Sequence, residues 1–184
     1  MTKALLIIDI QRDYFPGGAY PLVEPEAATE VAGRVLAAYR EADAPVIHVQ
    51  HLWDAPEATF MRPGTEGIEI HAAVTPNPGE LVITKTEPNS FIGTELEAEL
   101  HSRGVTHLTI AGMMSSMCVD STTRAAAELG FAATVIHDAC AAPDLELNGL
   151  TVPGAQVHAA FMAALGDGFA ELIQGEDAVT TLQR

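Results

Sequence analysis

Short apolar runs rich in β-branched residues recur at residues 4–8, 45–49, 81–84, 108–111 and 133–136. Runs of this length, without strict alternation and bounded by turn residues, read as strands buried on both faces of a parallel sheet. The segments between them follow a helical period. Residues 25–42 open on a proline and place Val31, Val35 and Leu36 on one stripe. Thr94-Glu95-Leu96-Glu97 has capping-box order and starts a helix that Gly104 stops. Residues 119–129 form an alanine-rich helix closed by Gly130, and residues 154–165 form another, followed by Gly166. A weak last strand is expected at 169–173 or near Val179. Strands alternating with helices imply right-handed crossovers, and therefore helices on both faces of a mostly parallel sheet.

The 184 residues fit one domain spanning 1–184, with no internal repeat, linker or low-complexity stretch. Two connections are long, residues 10–25 and 51–78, and both are rich in glycine, proline, aromatic and charged residues. Loops of that length in a small domain usually cover or bind something.

Composition narrows the partners. Nine basic against 25 acidic residues give a net charge of −16, which repels nucleic acid and anionic membrane surfaces. A small-molecule substrate is the remaining expectation. The apolar start of the chain is interrupted at Asp9, too early for a signal peptide or a spanning helix, so a cytoplasmic location is expected. Cys118 and Cys140 are the only cysteines and cannot form a disulfide framework.

In open parallel sheets, ligands bind outside the carboxyl ends of the strands. Asp9 ends LLIID, Lys85 ends LVITK, and Cys118 lies after LTIAG at the start of a helix. Taken singly, each has a structural explanation as a turn cap, a strand end or a small buried thiol. Together they are more specific, because a lysine and an aspartate ending buried strands lose solvation unless they pair. A helix N-terminus and a nearby ammonium also favour a thiolate, which makes Cys118 the candidate nucleophile and leaves Cys140 as a buried thiol. His48 and His51 are three residues apart on a strand and so face opposite ways, which argues against a metal pair. The first strand is followed by IDIQRD and not by a phosphate-binding glycine loop, so no nucleotide cofactor is expected.

These residues stand in LLIIDIQRDYF, GELVITKTEPNSFIGTEL, GMMSSMCVDSTTRAA and VIHDACAA, and on those stretches the chain resembles the isochorismatase-like cysteine hydrolases nearly end to end. The resemblance implies a Rossmann-like three-layer α/β/α sandwich with about six strands, an Asp9–Lys85–Cys118 triad, and no cofactor. It also implies a cis peptide at Met113–Met114 that turns the Met114 N–H toward the same point as the Cys118 N–H, forming an oxyanion hole. Gln11, Asn89, Ser90 and Phe91 match family positions near the strand ends, as support or lining. Tyr14, Phe15, Trp53, Phe60, Met61 and Arg62 on the long loops are the expected specificity elements, with Met113 beside them. Where nicotinamidases of the family have a D-x-H metal motif, this chain has His48-Val49-Gln50-His51-Leu52-Trp53-Asp54, so no metal is expected.

The expected function is hydrolysis of a small amide or related C–N bond through a thioester. A vinyl-ether hydrolase of isochorismatase type and a non-catalytic binding domain are the alternatives. Arg12 or Arg62 could hold a substrate carboxylate, but the acidic field favours a neutral or cationic substrate. The apolar loops, with a mean hydropathy of +0.17, point to a homodimer or higher oligomer.

Overall fold

In a computed structural model describing residues 2–182, six parallel strands form one sheet in the order β3-β2-β1-β4-β5-β8. They are β1 (Thr2–Ile8), β2 (Val46–His51), β3 (Leu81–Lys85), β4 (Val105–Met113), β5 (Ala132–Ala141) and β8 (Glu171–Ile173). The remaining two, β6 (Leu145–Leu147) and β7 (Leu150–Val152), form a separate antiparallel hairpin. The helices are α1 (Pro25–Glu41), α2 (Leu96–Ser102), α3 (Cys118–Glu128), α4 (Gly154–Gly166) and α5 (Gly175–Leu182).

The period of two along β1 divides the interior into two cores. Leu5 and Ile7 pack with Val35, Leu36 and Tyr39 of α1 and with Ala178 of α5. Ala4, Leu6 and Ile8 pack with Leu96 and Leu100 of α2, Val119 and Ala126 of α3, and Met162 and Leu165 of α4. The result is three layers, with α1 and α5 on one face and α2, α3 and α4 on the other. Among the described residues, no helix is long and apolar enough to cross a membrane.

Some local expectations change. The last strand is Glu171–Ile173, whereas Val179 lies in α5. At α2 the side chain of Glu95 makes no capping bond. Thr94 Oγ1 accepts from the Leu96 N–H (3.3 Å) and donates to the Ser90 carbonyl (2.6 Å), so it ties the helix start to the preceding loop. The β6–β7 hairpin turns on Asn148 and Gly149, both at positive φ (51° and 77°), as a two-residue hairpin turn requires.

Glu80, just before β3, joins three elements. Arg40 at the end of α1 donates to both its oxygens (2.7 Å each), the Asn77 N–H donates to Oε2 (2.8 Å), and Nε2 of the buried His48 on β2 is 2.9 Å from Oε2. The Arg40 bonds, with help from Asn77 and His48, hold the Glu80 carboxyl down to about 2. A depressed carboxyl stabilises the fold above its unfolded pKa and loses that contribution as pH falls through the folded value. Glu80→Gln is therefore expected to cost about 1–2 kcal/mol at neutral pH, a drop of roughly 3–6 °C in Tm. The variant should also show a flatter loss of stability than wild type between about pH 4.5 and 2. Thermal melts across that range check both points.

Candidate active site

From β1 the chain runs outward through β2 and β3 on one side and through β4, β5 and β8 on the other. The crevice where strand order reverses opens at the carboxyl ends of β1 and β4. Asp9 follows β1 directly, with φ at 51°, and Cys118 is the first residue of α3, just after β4. Gly112 brings the two strand ends together: its φ is 144°, and a Cβ there would lie 2.1 Å from the Ile8 carbonyl oxygen.

Lys85 ends β3, two strands away from β1. At a spacing of about 4.8 Å per strand, only a long side chain can reach Asp9. To do so it crosses the end of β2, where its register partner is His51. Nζ lies 2.7 Å from Asp9 Oδ2, 3.3 Å from Cys118 Sγ and 2.8 Å from His51 Nδ1. The side chains of Asp9 and Lys85 have no exposed surface. The two groups form a close ion pair with no exposed side-chain surface on either partner.

Burial pushes the Asp9 carboxyl up, against the lowering pull of Lys85. Burial would push the Lys85 ammonium down, but the charges of Asp9 and Cys118 outweigh it and the net direction is up. Burial, and then the Asp9 charge, push the Cys118 thiol up as well. The helix start and the ammonium favour a thiolate, but desolvation outweighs them and the net direction is up. The upward directions at Lys85 and Cys118 leave an ammonium and a thiol in the resting site. Asp9, His51 and Cys118 offer ligand atoms within 4.8 Å of one another, a set chemically suited to a cation. The Lys85 ammonium already supplies positive charge to all three.

The Met113–Met114 peptide is cis. The Met114 carbonyl accepts from the N–H groups of Met117 and Val119, and the Ser115 N–H donates to Ala141. Among the described residues, neither the Met114 nor the Cys118 N–H has a recorded acceptor.

A family model, the Isochorismatase domain, matches residues 3–177. The chain belongs to the isochorismatase family. Relatives include YddQ, an isochorismatase family protein of Bacillus subtilis, 48% identical over 170 residues, or 92% of this chain and 94% of the relative. A streptothricin hydrolase of Streptomyces noursei is 39% identical over 172 residues, 90% of this chain and 60% of the relative. The solved structure of an isochorismatase hydrolase from Oleispira antarctica superposes with a TM-score of 0.93 at 46% identity, covering 97% of this chain and 96% of that one.

On this family scaffold, Cys118 opens into a cavity of about 670 Å³. Tyr14, Tyr20, Trp53 and Phe60 line it, with Met114 and Met117 beside the thiol and Asp54 and Glu87 also on the lining. Phe60 organises the aromatic wall, stacked on Tyr20 at 4.8 Å and edge-on to Trp53 at 5.3 Å. Tyr20 and Glu87 were not apparent from the sequence, since neither stands in a patterned position.

Other expected residues lie elsewhere. Gln11 is buried and bonds the backbone of His51. Phe15 stacks on His71 at 4.2 Å and lines, with Arg62, a second cavity of about 770 Å³ that does not include Cys118. Arg12 is engaged by Glu66 and Glu69 (3.0 and 2.8 Å), so it is not a free carboxylate clamp. Asn89 Oδ1 accepts the Phe91 N–H within a local turn, Phe91 stacks toward Phe131, and Ser90 bonds Thr122. Met61 and Met113 are core residues. Phe15, Met61, Arg62, Asn89, Ser90, Phe91 and Met113 are thus absent from the lining of the Cys118 cavity.

The two long loops are joined by Asp13, a buried residue with no sequence signal beyond its place after IDIQR. Its Oδ1 accepts the Ala19 N–H (3.1 Å) and its Oδ2 the Met61 N–H (2.6 Å). Gly67 fits against the same carboxylate, which a Cβ there would approach to 2.2 Å. Asp13→Ala strands both amides, so their hydrogen exchange is expected to accelerate at least about tenfold, with a stability loss of about 2–4 kcal/mol. Exchange mass spectrometry of peptides spanning 15–22 and 58–67 reads this directly.

Proposed function

We propose that this isochorismatase-family hydrolase cleaves a small amide or related C–N bond by covalent catalysis at Cys118. The observation that carries the reading is the Lys85 ammonium, 2.7 Å from Asp9 and 3.3 Å from Cys118 Sγ at the edge of an aromatic-walled cavity. A carboxylate buried away from water is a stronger base than an exposed one. Asp9 takes the thiol proton, and Lys85 offsets the negative charge on whichever of the two groups carries it. The proton stays within the site, so the net charge does not change as the nucleophile forms.

The thiolate then forms a C–S bond to the substrate carbonyl carbon, and the carbonyl π pair moves onto oxygen. The free N–H groups of Met114 and Cys118 are the donors for that oxyanion. As the C–N bond breaks, protonated Asp9 gives its proton to the departing amine. It next removes a proton from water, which attacks the thioester carbon; the C–S bond breaks, the acid leaves, and Asp9 returns the proton to the Cys118 sulfur. A neutral or cationic substrate fits the aromatic wall with Asp54 and Glu87 beside it. The Streptomyces noursei relative is itself named a hydrolase, of streptothricin.

Cys118→Ala should lose essentially all turnover on a panel of small amides, N-carbamoyl compounds and streptothricin, and Cys140→Ala should lose little. Quenched wild-type reactions should carry an acyl adduct on the Cys118 peptide by mass spectrometry. Activity that survives the loss of Cys118 would move the vinyl-ether reaction to first place. Because only unprotonated Asp9 can take the thiol proton, the acid limb of kcat/KM should lie above the ordinary aspartate range, in line with the upward direction of its pKa.

We also propose that copies of the chain associate through the β6–β7 hairpin. Leu147 pairs with Leu150, and Leu145 with Val152, which places all four on one face of the ribbon. The three leucines are 69%, 65% and 37% exposed in the order Leu147, Leu150, Leu145. The apolar face of this ribbon, on a −16 chain, matches a second copy of itself across a two-fold axis. Light scattering should give at least twice the 19.4 kDa chain mass. The Leu147→Glu, Leu150→Glu double variant should scatter as the single chain.

A further inference from the structure

The Cys118 cavity contains a residue that the mechanism above does not use. We infer that His51 is a positioning residue of the triad: its Nδ1 holds the Lys85 ammonium in place, and its Nε2–H faces the cavity as a hydrogen-bond donor for the substrate. The inference rests on the cysteine-hydrolase reading for its purpose but not for its geometry.

An ammonium has three hydrogens and no acceptor capacity. With Nζ 2.8 Å from Nδ1, that nitrogen must offer its lone pair, and the ring proton of the neutral imidazole is left on Nε2. Among the described residues no hydrogen bond reaches Nε2, although the ring lines the cavity. Lys85 needs such an anchor because its side chain spans from β3 over β2 to β1 and is free to rotate about four bonds. Its register partner across β2 is His51, which puts the acceptor beneath that span.

The backbone of His51 is fixed in turn by the fully buried Gln11. Gln11 Oε1 accepts the His51 N–H (2.8 Å), and its Nε2 donates to the His51 carbonyl (3.0 Å) and to the Ile68 carbonyl (2.8 Å). This two-sided clamp gives Gln11 a task outside the cavity, as the residue that sets where His51 stands.

The charged and titratable groups around the ring are Lys85 from β3, Asp9 after β1, Cys118 of α3, Tyr14 from the first loop, and Asp54 and Glu87 on the cavity lining. Burial, and then the Lys85 charge, hold the ring's pKa down to about 4. The ring therefore stays neutral across the working range and keeps the tautomer that Lys85 imposes.

Two amide side chains separate the two roles. In His51→Asn the introduced Oδ1 would stand near the position of the ring Nδ1, and in His51→Gln the introduced Nε2 would stand near that of the ring Nε2. The probe is iodoacetamide, which needs no substrate. Alkylation of Cys118, followed by peptide mass spectrometry from pH 6 to 10, should run within about twofold of wild type in His51→Asn. It should slow about tenfold near neutral pH in His51→Gln and His51→Leu, where Lys85 loses its anchor, one pKa unit being a tenfold change in thiolate. Equal rates in all three variants would overturn the proposal. The second readout is the imidazole nitrogen spectrum of ¹⁵N-histidine-labelled protein. The His51 signals are assigned by their loss in His51→Asn or, if that variant does not fold, by their proximity to the Lys85 side chain. They should show a neutral Nε2–H ring down to about pH 5; an Nδ1–H ring, or titration near the ordinary histidine value, overturns the proposal. Both readouts are independent of the acyl-adduct experiment, so failure of the cysteine-hydrolase reading and failure of the His51 role give different results.

Discussion

A lysine ammonium with no exposed side-chain surface has given up its hydration and must recover the loss from neighbouring groups. In this chain the recovery comes from three side chains on three different elements: a carboxylate after β1, a thiol at the start of α3 and an imidazole at the end of β2. The cost of leaving that charge unpaired fixes where each of them stands. It also sets their protonation, because a carboxylate and a thiol sharing one ammonium in a dry site cannot both be ionised cheaply. The same desolvation that raises the thiol also raises Asp9.

The scaffold serves that arrangement. Strand order reverses at β1, and Gly112 lets β4 close against the end of β1. Two long loops then cover the crevice, and the buried Asp13 joins them through backbone amides of both. The aromatic wall around Phe60 is built from residues of these loops, so the shape of the cavity depends on a carboxylate that is not part of its lining.

Much of this was legible in the chain itself. The five main strands were visible as buried runs, and Asp9, Lys85 and Cys118 stood out because polar groups at such ends demand a partner. His51 was visible only as one of two histidines on opposite strand faces. Its contact with Lys85 depends on β2 lying between β1 and β3, which is a property of sheet order. Aromatic residues carry no mark that separates core from cavity, so Trp53 reached the cavity while Phe15 and Phe91 did not. The upward direction at Cys118 escapes the sequence for a related reason. A helix start and a lysine can be read from sequence, but the depth of burial that outweighs them cannot. The β6–β7 hairpin is not among the elements expected from the sequence, although Asn148-Gly149 between apolar pairs is a local hairpin signal for the turn found there.

The central claim is a distribution of protons around one buried cation, and neutron diffraction from crystals of the deuterium-exchanged protein tests it most directly. The account places three deuterons on Lys85 Nζ, one on Cys118 Sγ, one on His51 at Nε2 and none on Asp9. A neutral Lys85 amine, or a deuteron on His51 Nδ1 facing it, would contradict the account.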